Sequence, residues 1–263
     1  MRTILLFAIL LVAVSAVAGQ TAASQPIEDN SFLIEEAYNQ EKGVIQYINS
    51  FYRTRDGNFV YNFTNEFPVG GQRHQFSYSI NVAGVNGRDG LGDTLLNYRY
   101  QLHGMKAEDR VAISPRFSLT LPTGNFRRGT GSGAVGFQFN LPVSVRHSKL
   151  IVTHWNAGAT FIPRARDTAG DRANVSGFNL GQSTVFLVKN NFNILVETSW
   201  NSLAAVTANG RTAIGYSLLV NPAIRWAWNF KNGLQIVPGI AAPIGIGPSY
   251  GQSGIFLYLS FEK

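Results

Sequence analysis

Six charged side chains lie within stretches that are otherwise apolar or uncharged, which makes them the first candidates for a function. They are Glu66, Arg99, Arg116, Arg146, Glu197 and Arg225. Each alternates with large apolar neighbours, so in an extended strand it lies on the face opposite the apolar one. Guanidinium and carboxylate groups on one face can line a water-filled path that selects ions or polar solutes. They can equally pair with one another and close that path.

The elements that would carry these charges are β-strands. Residues 135–146 show the pattern clearly, because every odd position from Val135 to Val145 is apolar and the even positions are mostly polar. About twelve strand-like runs follow one another along the rest of the chain. They lie near residues 44–54, 58–68, 73–83, 91–103, 109–122, 134–146, 149–162, 177–189, 192–202, 212–229, 233–246 and 254–262. The sequence therefore predicts an all-β fold.

These strands fit a membrane only as a closed barrel. Beyond the N-terminal residues, no stretch is apolar for the roughly 20 residues that a membrane helix requires, and an open sheet would leave backbone groups unpaired in lipid. In an antiparallel transmembrane barrel of about 12 strands, the apolar face contacts lipid and the polar face lines the lumen. A charge facing hydrocarbon at mid-depth costs roughly 2–4 kcal/mol, so the six charged residues are predicted to point into the lumen.

The connections between strands differ in length at the two ends, as they do in outer-membrane barrels. One end has short turns, whereas the other carries the longer loops 123–133, 163–176 and 203–211. Four of the arginines in the first two of these loops are candidates for a role in gating: Arg127, Arg128, Arg164 and Arg166. The loops either gate entry to the lumen, bind phosphate groups of lipopolysaccharide, or are flexible surface segments.

Composition narrows the possible functions. Charged residues make up 14% of the 263 residues, against about 25% in ordinary soluble domains. The absence of cysteine excludes disulfides and thiolate metal sites, and no ligand spacing indicates another metal site or a cofactor. The net charge is +7, but the basic residues are dispersed, which argues against a nucleic-acid partner. This charge suits either anionic lipid head groups or a lumen that prefers anions.

The N-terminus is predicted to be exported and cleaved. Residues 1–18 contain one positive residue, a short apolar core and an A-x-A site that ends at Ala18. This is the layout of a secretory signal peptide, which is removed from the mature chain.

The next segment, residues 19–43, is predicted to be periplasmic and to contain a short helix over 31–42. Its apolar side chains recur at helical spacing on one side: Leu33, Ile34, Ala37 and Tyr38. The helix either caps the lumen or leads into the barrel without packing on anything. The barrel domain is predicted to cover residues 44–263.

Three segments resemble one group of bacterial outer-membrane proteins. They are SFLIEEAYNQEKGVIQYI (31–48), GLGDTLLNYRYQL (90–102) and SPRFSLTLPTGNFRRGTGSG (114–133). The group consists of barrel proteins described as transporters and associated with phenol meta-cleavage degradation. The resemblance implies a barrel in the outer membrane of a Gram-negative bacterium, with aromatic or other hydrophobic compounds as its solutes.

These features favour a channel for passive uptake or efflux of small molecules, with no catalytic residue and no cofactor. The expected partners are outer-membrane lipids and lipopolysaccharide, the barrel insertion machinery and the small-molecule solute. A closed lumen would instead indicate a structural or adhesive surface protein. A lipid-modifying enzyme would need serine and histidine side by side, and His154, followed by Asn156, is the histidine that could face the lumen at mid-barrel. A soluble exported β-protein is the remaining alternative.

Overall fold

The computed structural model describes residues 27, 30–106 and 108–263. The predicted signal peptide, residues 1–18, lies outside the described residues. Among the residues that are described, none forms a helix with the length and hydropathy that crossing a membrane requires.

Twelve strands of the described chain form one closed antiparallel barrel, as the sequence predicted. In chain order they are β1 (Gln46–Thr54), β2 (Phe59–Pro68), β3 (His74–Val85), β4 (Thr94–Tyr100), β5 (Arg116–Leu121), β6 (Gly136–Arg146), β7 (Ile151–Arg166), β8 (Arg172–Lys189), β9 (Phe192–Thr207), β10 (Arg211–Trp226), β11 (Gln235–Ala241) and β12 (Gly254–Glu262). Each strand pairs with its neighbour in sequence, and pairing of β1 with β12 closes the barrel. Short pieces extend the ladders: Arg88–Leu91 beside β3, Val111–Ile113 beside β6, Trp228–Asn229 beside β11 and Ile244–Gly245 beside β10.

Both ends of the barrel domain lie at one rim, where the N–H of Ile45 donates to the carbonyl of Lys263 (2.8 Å). We call this rim the inner end and the opposite rim the outer end, following the orientation of outer-membrane barrels. At the outer end the wall is taller on one side, because β7 to β10 are 16 to 18 residues long. The loop predicted at 203–211 accordingly shrinks to residues 208–210.

The loop predicted at 163–176 is also much shorter than expected. β7 continues to Arg166 and β8 begins at Arg172, so that residues 167–171 connect them. Arg164 and Arg166 therefore lie at the end of a strand, and Arg164 has a positive φ of 55° beside an irregularity in the ladder. The prediction was wrong because the apolar positions of these extensions change face: Ala165 and Val175 are buried on the inside of the barrel, so the outward apolar pattern that marks the lipid-facing strands stops before the strands end.

The alternation places a band of large apolar side chains on the outside of the barrel. Exposed members of the band include Phe117, Phe137, Phe139, Trp155, Phe161, Phe178, Leu180 and Ile224. Asparagine, serine, glutamine and charged side chains are buried on the inside. This distribution is the reverse of a soluble barrel, so the apolar face is the one that contacts lipid and the alternative of a soluble β-protein is wrong.

The segment predicted as a helix over 31–42 is not helical. It runs through the lumen as bends and extended stretches, and its amide groups bond to barrel side chains instead of to its own carbonyls. Helix propensity and spacing are weak constraints that tertiary contacts override. We call residues 30–40 the plug.

Candidate functional site

The plug lies inside the barrel, where side chains of the wall accept hydrogen bonds from its backbone. The amide groups of Leu33 and Ile34 donate to Glu197, Glu35 to Asn156, Ala37 to Ser144, Asn39 to Gln101 and Gln40 to Gln75, at 2.7 to 3.2 Å. These acceptors stand on β9, β7, β6 and β3 and just after β4. A segment without secondary structure of its own thus has six of its backbone donors paired with the wall, which offsets the cost of burying backbone N–H groups.

The wall also donates to the carbonyl groups of the plug. Arg99 of β4 donates through Nη1 to the carbonyl of Glu36 (3.1 Å), through Nη2 to that of Tyr38 (2.6 Å) and through Nε to Oδ1 of Asn39 (2.8 Å). Further donors are Gln101 to Ala37 (2.7 Å), Asn156 to Glu35 (2.8 Å) and Arg225 to Asn30 (2.7 Å). Both N–H and C=O groups of the plug backbone are therefore bonded to the wall.

Glu197 is the acceptor at the centre of this network. Its side chain is fully buried, and Oε1 accepts from the amide groups of both Leu33 (3.0 Å) and Ile34 (3.2 Å). Oε2 accepts from Nδ2 of Asn221 on β10 (2.6 Å). Bonds to a charged acceptor are roughly twice as strong as neutral ones, so this carboxylate anchors the middle of the plug.

The wall leaves room for the apolar side chains of the plug. A Cβ atom added to Gly181 would overlap the side chain of Ile34, and one added to Gly239 would overlap the ring of Phe32. The same ring packs against Tyr258 of β12, with centroids 5.1 Å apart. Plug and wall are therefore complementary in shape as well as in hydrogen bonding.

An ion pair joins the plug to β5 of the wall. Oε1 of Glu35 lies 2.6 Å from Nη2 of Arg116, and the two side chains are 28% and 16% exposed. Nη1 of Arg116 donates to Oδ1 of Asn97 (2.9 Å) and to the hydroxyl of Ser118 (2.5 Å). This pair is more accessible than the Glu197 network.

Two cavities flank the plug. The outer one, of about 290 Å³, is lined by plug residues 30–35 and by side chains that include Asn62 and Asn81, near the outer ends of β2 and β3. The inner one, of about 190 Å³, is lined by Glu36 and Tyr38 together with wall residues. A solute that crosses from one cavity to the other must displace the plug or pass beside it.

All six charged residues predicted to line a pore stand at inward positions of the alternation, and five of them lie inside the barrel. They are Glu66, Arg99, Arg116, Glu197 and Arg225. Glu66 lies 3.9 Å from Arg99 and accepts from Gln75 (2.7 Å). Arg146 is exposed and lines the inner cavity. Glu66 and Arg99 thus form an ion pair within the wall, whereas Arg116, Glu197 and Arg225 bond to the plug.

The predicted gating loop 123–133 is tied to the neighbouring β3–β4 connection. The carboxylate of Asp93 accepts from the amide of Gly124 (3.0 Å) and from both the amide (2.7 Å) and the hydroxyl (2.5 Å) of Ser132. Arg127 and Arg128 are exposed at the outer rim. The loop is therefore ordered by a residue that sequence reasoning did not single out.

The serine and histidine that a hydrolase would need do meet, but beneath the plug. The hydroxyl of Ser144 lies 2.7 Å from Nδ1 of His154, and both residues are buried. The same hydroxyl also accepts from the amide of Ala37 (2.8 Å). The pair therefore serves to hold the plug.

The residues that sequence reasoning missed are mostly uncharged. They are Gln75, Gln101, Ser144 and Asn221 in the wall, and Glu35 and Asn39 in the plug. The wall residues stand at inward positions of the alternation, and that signal was sufficient to find them.

No family model and no curated protein matches the chain. Among solved structures, the barrel is similar to an outer membrane channel from Pseudomonas putida F1, with a TM-score of 0.58, 11% identity and coverage of 93% of this chain and 99% of that chain. The NanC porin has a TM-score of 0.53 at 10% identity and covers 82% of this chain and 98% of its own. The KdgM porin has a TM-score of 0.50 at 12% identity, with 83% and 98% covered. The fold is that of outer-membrane porins and channels.

Proposed function

We propose that this protein is an outer-membrane channel through which small solutes diffuse passively, and that its own N-terminal plug gates the lumen. The observation that carries the proposal is the plug itself, which lies between two cavities and is held by the side chains of the wall. The similarity of the barrel to porin structures supports a channel architecture.

The way in which the plug is bound makes its displacement feasible. Besides the packing of Phe32 and Ile34 and the ion pair of Glu35, its contacts are separate side chain–backbone hydrogen bonds. Each has a net value of about 0.5–1.5 kcal/mol, or about 1.5–3 kcal/mol where one partner is charged, because water replaces the lost partner. The strand ladders of the barrel are continuous and do not depend on the plug. A solute or a fluctuation can therefore loosen the plug stepwise while the barrel stays folded.

We further infer that charged residues of the lumen, among them Glu66, Arg99 and Arg225, set selectivity once the plug has moved. The sequence resemblance to barrels associated with phenol degradation supports aromatic or hydrophobic solutes. The exposed Arg127 and Arg128 at the outer rim suit contact with phosphates of lipopolysaccharide. Export by a signal peptide and assembly by the barrel insertion machinery belong to the same proposal.

The plug can be locked reversibly to test the gate. The hydroxyl groups of Ser31 and Ser183 are buried and 2.8 Å apart, and the chain has no native cysteine. The double variant S31C/S183C is expected to form a disulfide with little adjustment, since the S–S bond is about 2.05 Å. In planar bilayers, its conductance steps should disappear under oxidising conditions and return after reduction.

The single variant Ser31→Cys is the matched control and should conduct equally under both conditions. Conductance by the oxidised double variant at the level of the unmodified protein would show that the plug is not the gate.

The closed structural barrel is the second candidate, favoured by the number of bonds that hold the plug. It predicts that the unmodified protein inserts but stays electrically silent and admits no solute into liposomes.

A further inference from the structure

The outer cavity is lined largely by uncharged polar side chains of the barrel, with Glu66 and Arg116 as the charged side chains of the wall and Glu35 as that of the plug. Its hydroxyl and amide groups belong to Ser50, Asn62, Thr64, Ser77, Ser79, Asn81 and Asn97. They stand on β1 to β4 at alternate positions, so that they face one space. Serine, threonine and asparagine both donate and accept hydrogen bonds, which suits the hydroxyl groups of a solute. A cavity of about 290 Å³ is at the small end of ligand pockets and suits a single small molecule.

Arg116 lies at the boundary of this cavity, and only one of the two nitrogens on the Nε–Nη2 edge of its guanidinium has a partner. Nη1 is engaged by Asn97 and Ser118, and Nη2 by Glu35. Nε shares an edge with Nη2 and has no hydrogen-bond partner among the described residues. A carboxylate aligned with this edge can accept from Nε and Nη2 together, which is the favoured bidentate geometry.

Glu35 is a replaceable partner for this arginine. Its carboxylate contacts Nη2 through a single oxygen, and the pair is partly exposed to solvent. Exposed ion pairs contribute little net stability, because water competes for both groups. A solute carboxylate in the cavity therefore competes with Glu35 on favourable terms.

We propose that the outer cavity binds a small hydroxylated carboxylate, whose carboxyl group takes Arg116 from Glu35 while its hydroxyl groups face the serine and asparagine wall. The proposal rests on the channel function above, but it names a different solute class from the aromatic or hydrophobic compounds that the sequence resemblance implies, because the wall of this cavity is mostly polar. Binding also removes one of the contacts that hold the plug, so recognition of the solute and loosening of the plug occur at the same residue.

Binding to the full-length protein in detergent can be measured by calorimetry with three probes. Gluconate carries both a carboxylate and hydroxyl groups, acetate carries the carboxylate alone, and sorbitol carries hydroxyl groups alone. Gluconate should bind at least tenfold more tightly than either of the other two. Equal affinity for gluconate and acetate would overturn the role of the polar wall, and absence of gluconate binding would overturn the site.

Two variants and a control assign the site to Arg116. Arg116→Gln should weaken gluconate binding at least tenfold, and Glu35→Gln should strengthen it severalfold, because the competing charge is gone. Arg146→Gln removes an exposed arginine at the inner end and should leave the affinity unchanged. Unchanged or weaker binding in Glu35→Gln would overturn the competition between solute and plug, even if Arg116→Gln failed to fold.

The channel function is tested separately. The disulfide experiment reads conductance and needs no gluconate, whereas calorimetry reads binding and needs no open channel. A conducting protein that binds no gluconate would contradict only this inference. A protein that binds gluconate but never conducts would contradict only the channel.

Discussion

Glu197 accepts hydrogen bonds from two successive amide groups of the plug, Leu33 and Ile34, and a third from Asn221 of β10. Leu33 and Glu197 are 164 positions apart in the chain. Hydrogen bonds to a charged group have net values of about 1.5–3 kcal/mol, and a buried donor left without a partner costs about 1–3 kcal/mol. Removal of this one carboxylate should therefore weaken the middle of the plug more than removal of any exposed charge.

Glu197→Ala is expected to release the plug, whereas Glu197→Gln is expected to retain it. The amide oxygen of glutamine can still accept from both plug amides, and Oδ1 of Asn221, which has no hydrogen-bond partner among the described residues, can turn to accept from the new NH₂ group. Cleavage by a glutamate-specific protease at Glu35 and Glu36 measures release. The alanine variant should be cleaved at least tenfold faster than the unmodified protein.

The glutamine variant serves as the isosteric control for that experiment and should be cleaved at a rate between those of the unmodified protein and the alanine variant, because both plug amides keep an acceptor but bonds to a neutral oxygen are weaker than bonds to a charged one. Equal cleavage of the alanine variant and the unmodified protein would mean that the plug is held elsewhere. Arg99 would then be the next candidate, because it donates to three plug acceptors.

At the level of elements, alternation in the strands predicted which side chains enter the lumen, and five of the six selected charges do so. The same reasoning was wrong for residues 31–42, because helical spacing describes only neighbours in sequence. The acceptors that replace helical hydrogen bonds come from positions 35 to 164 residues away, such as Gln75 and Glu197. A local pattern contains no information about partners at that distance.

The loop at residues 123–133 and the plug are alternative places for a gate. A variant of Asp93 distinguishes between these two hypotheses. Asp93→Ala removes the acceptor of Gly124 and Ser132. Bonds of this charged type are worth about 1.5–3 kcal/mol, so amide exchange at Gly124 and Ser132 should rise at least tenfold. Conductance should stay the same, because the plug is untouched.

The neighbouring Asp89 provides a matched control for that variant. Its side chain is exposed, and its hydrogen bond with Arg128 (3.0 Å) is accepted by the backbone carbonyl and not by the carboxylate. Asp89→Ala should leave amide exchange in the loop within about threefold, since exposed charges contribute little. A rise in conductance with Asp93→Ala would place the gate in the loop instead of the plug.

For the whole molecule, the barrel could be predicted because a period of two persists through most of the chain and because lipid and lumen impose opposite polarity on the two faces. The outer extensions of β7 to β10 could not be predicted in the same way. They project beyond the lipid, where the apolar side chains change face: Phe178 is exposed on the lipid side, whereas Val175 is buried on the inside with Ala165 and Ala204 and its neighbours Asn174 and Ser176 are exposed. The sequence therefore predicts the segments of the strands that contact lipid, but not their extensions beyond it.

This polarity predicts that the same substitution, to arginine, has unequal effects on stability at two adjacent positions of β6. Phe139 is 50% exposed on the apolar outside, and Gln138 points into the lumen beside Ser118. Phe139→Arg should lower the free energy of unfolding from lipid bilayers by roughly 2–4 kcal/mol, the cost of arginine near the bilayer midplane. Gln138→Arg should change it by less than about 1 kcal/mol, because the lumen is polar and hydrated. Urea unfolding in vesicles, read by the heat-dependent shift in gel migration, measures both. Equal losses at the two positions would mean that the two faces of the wall are not divided between lipid and water.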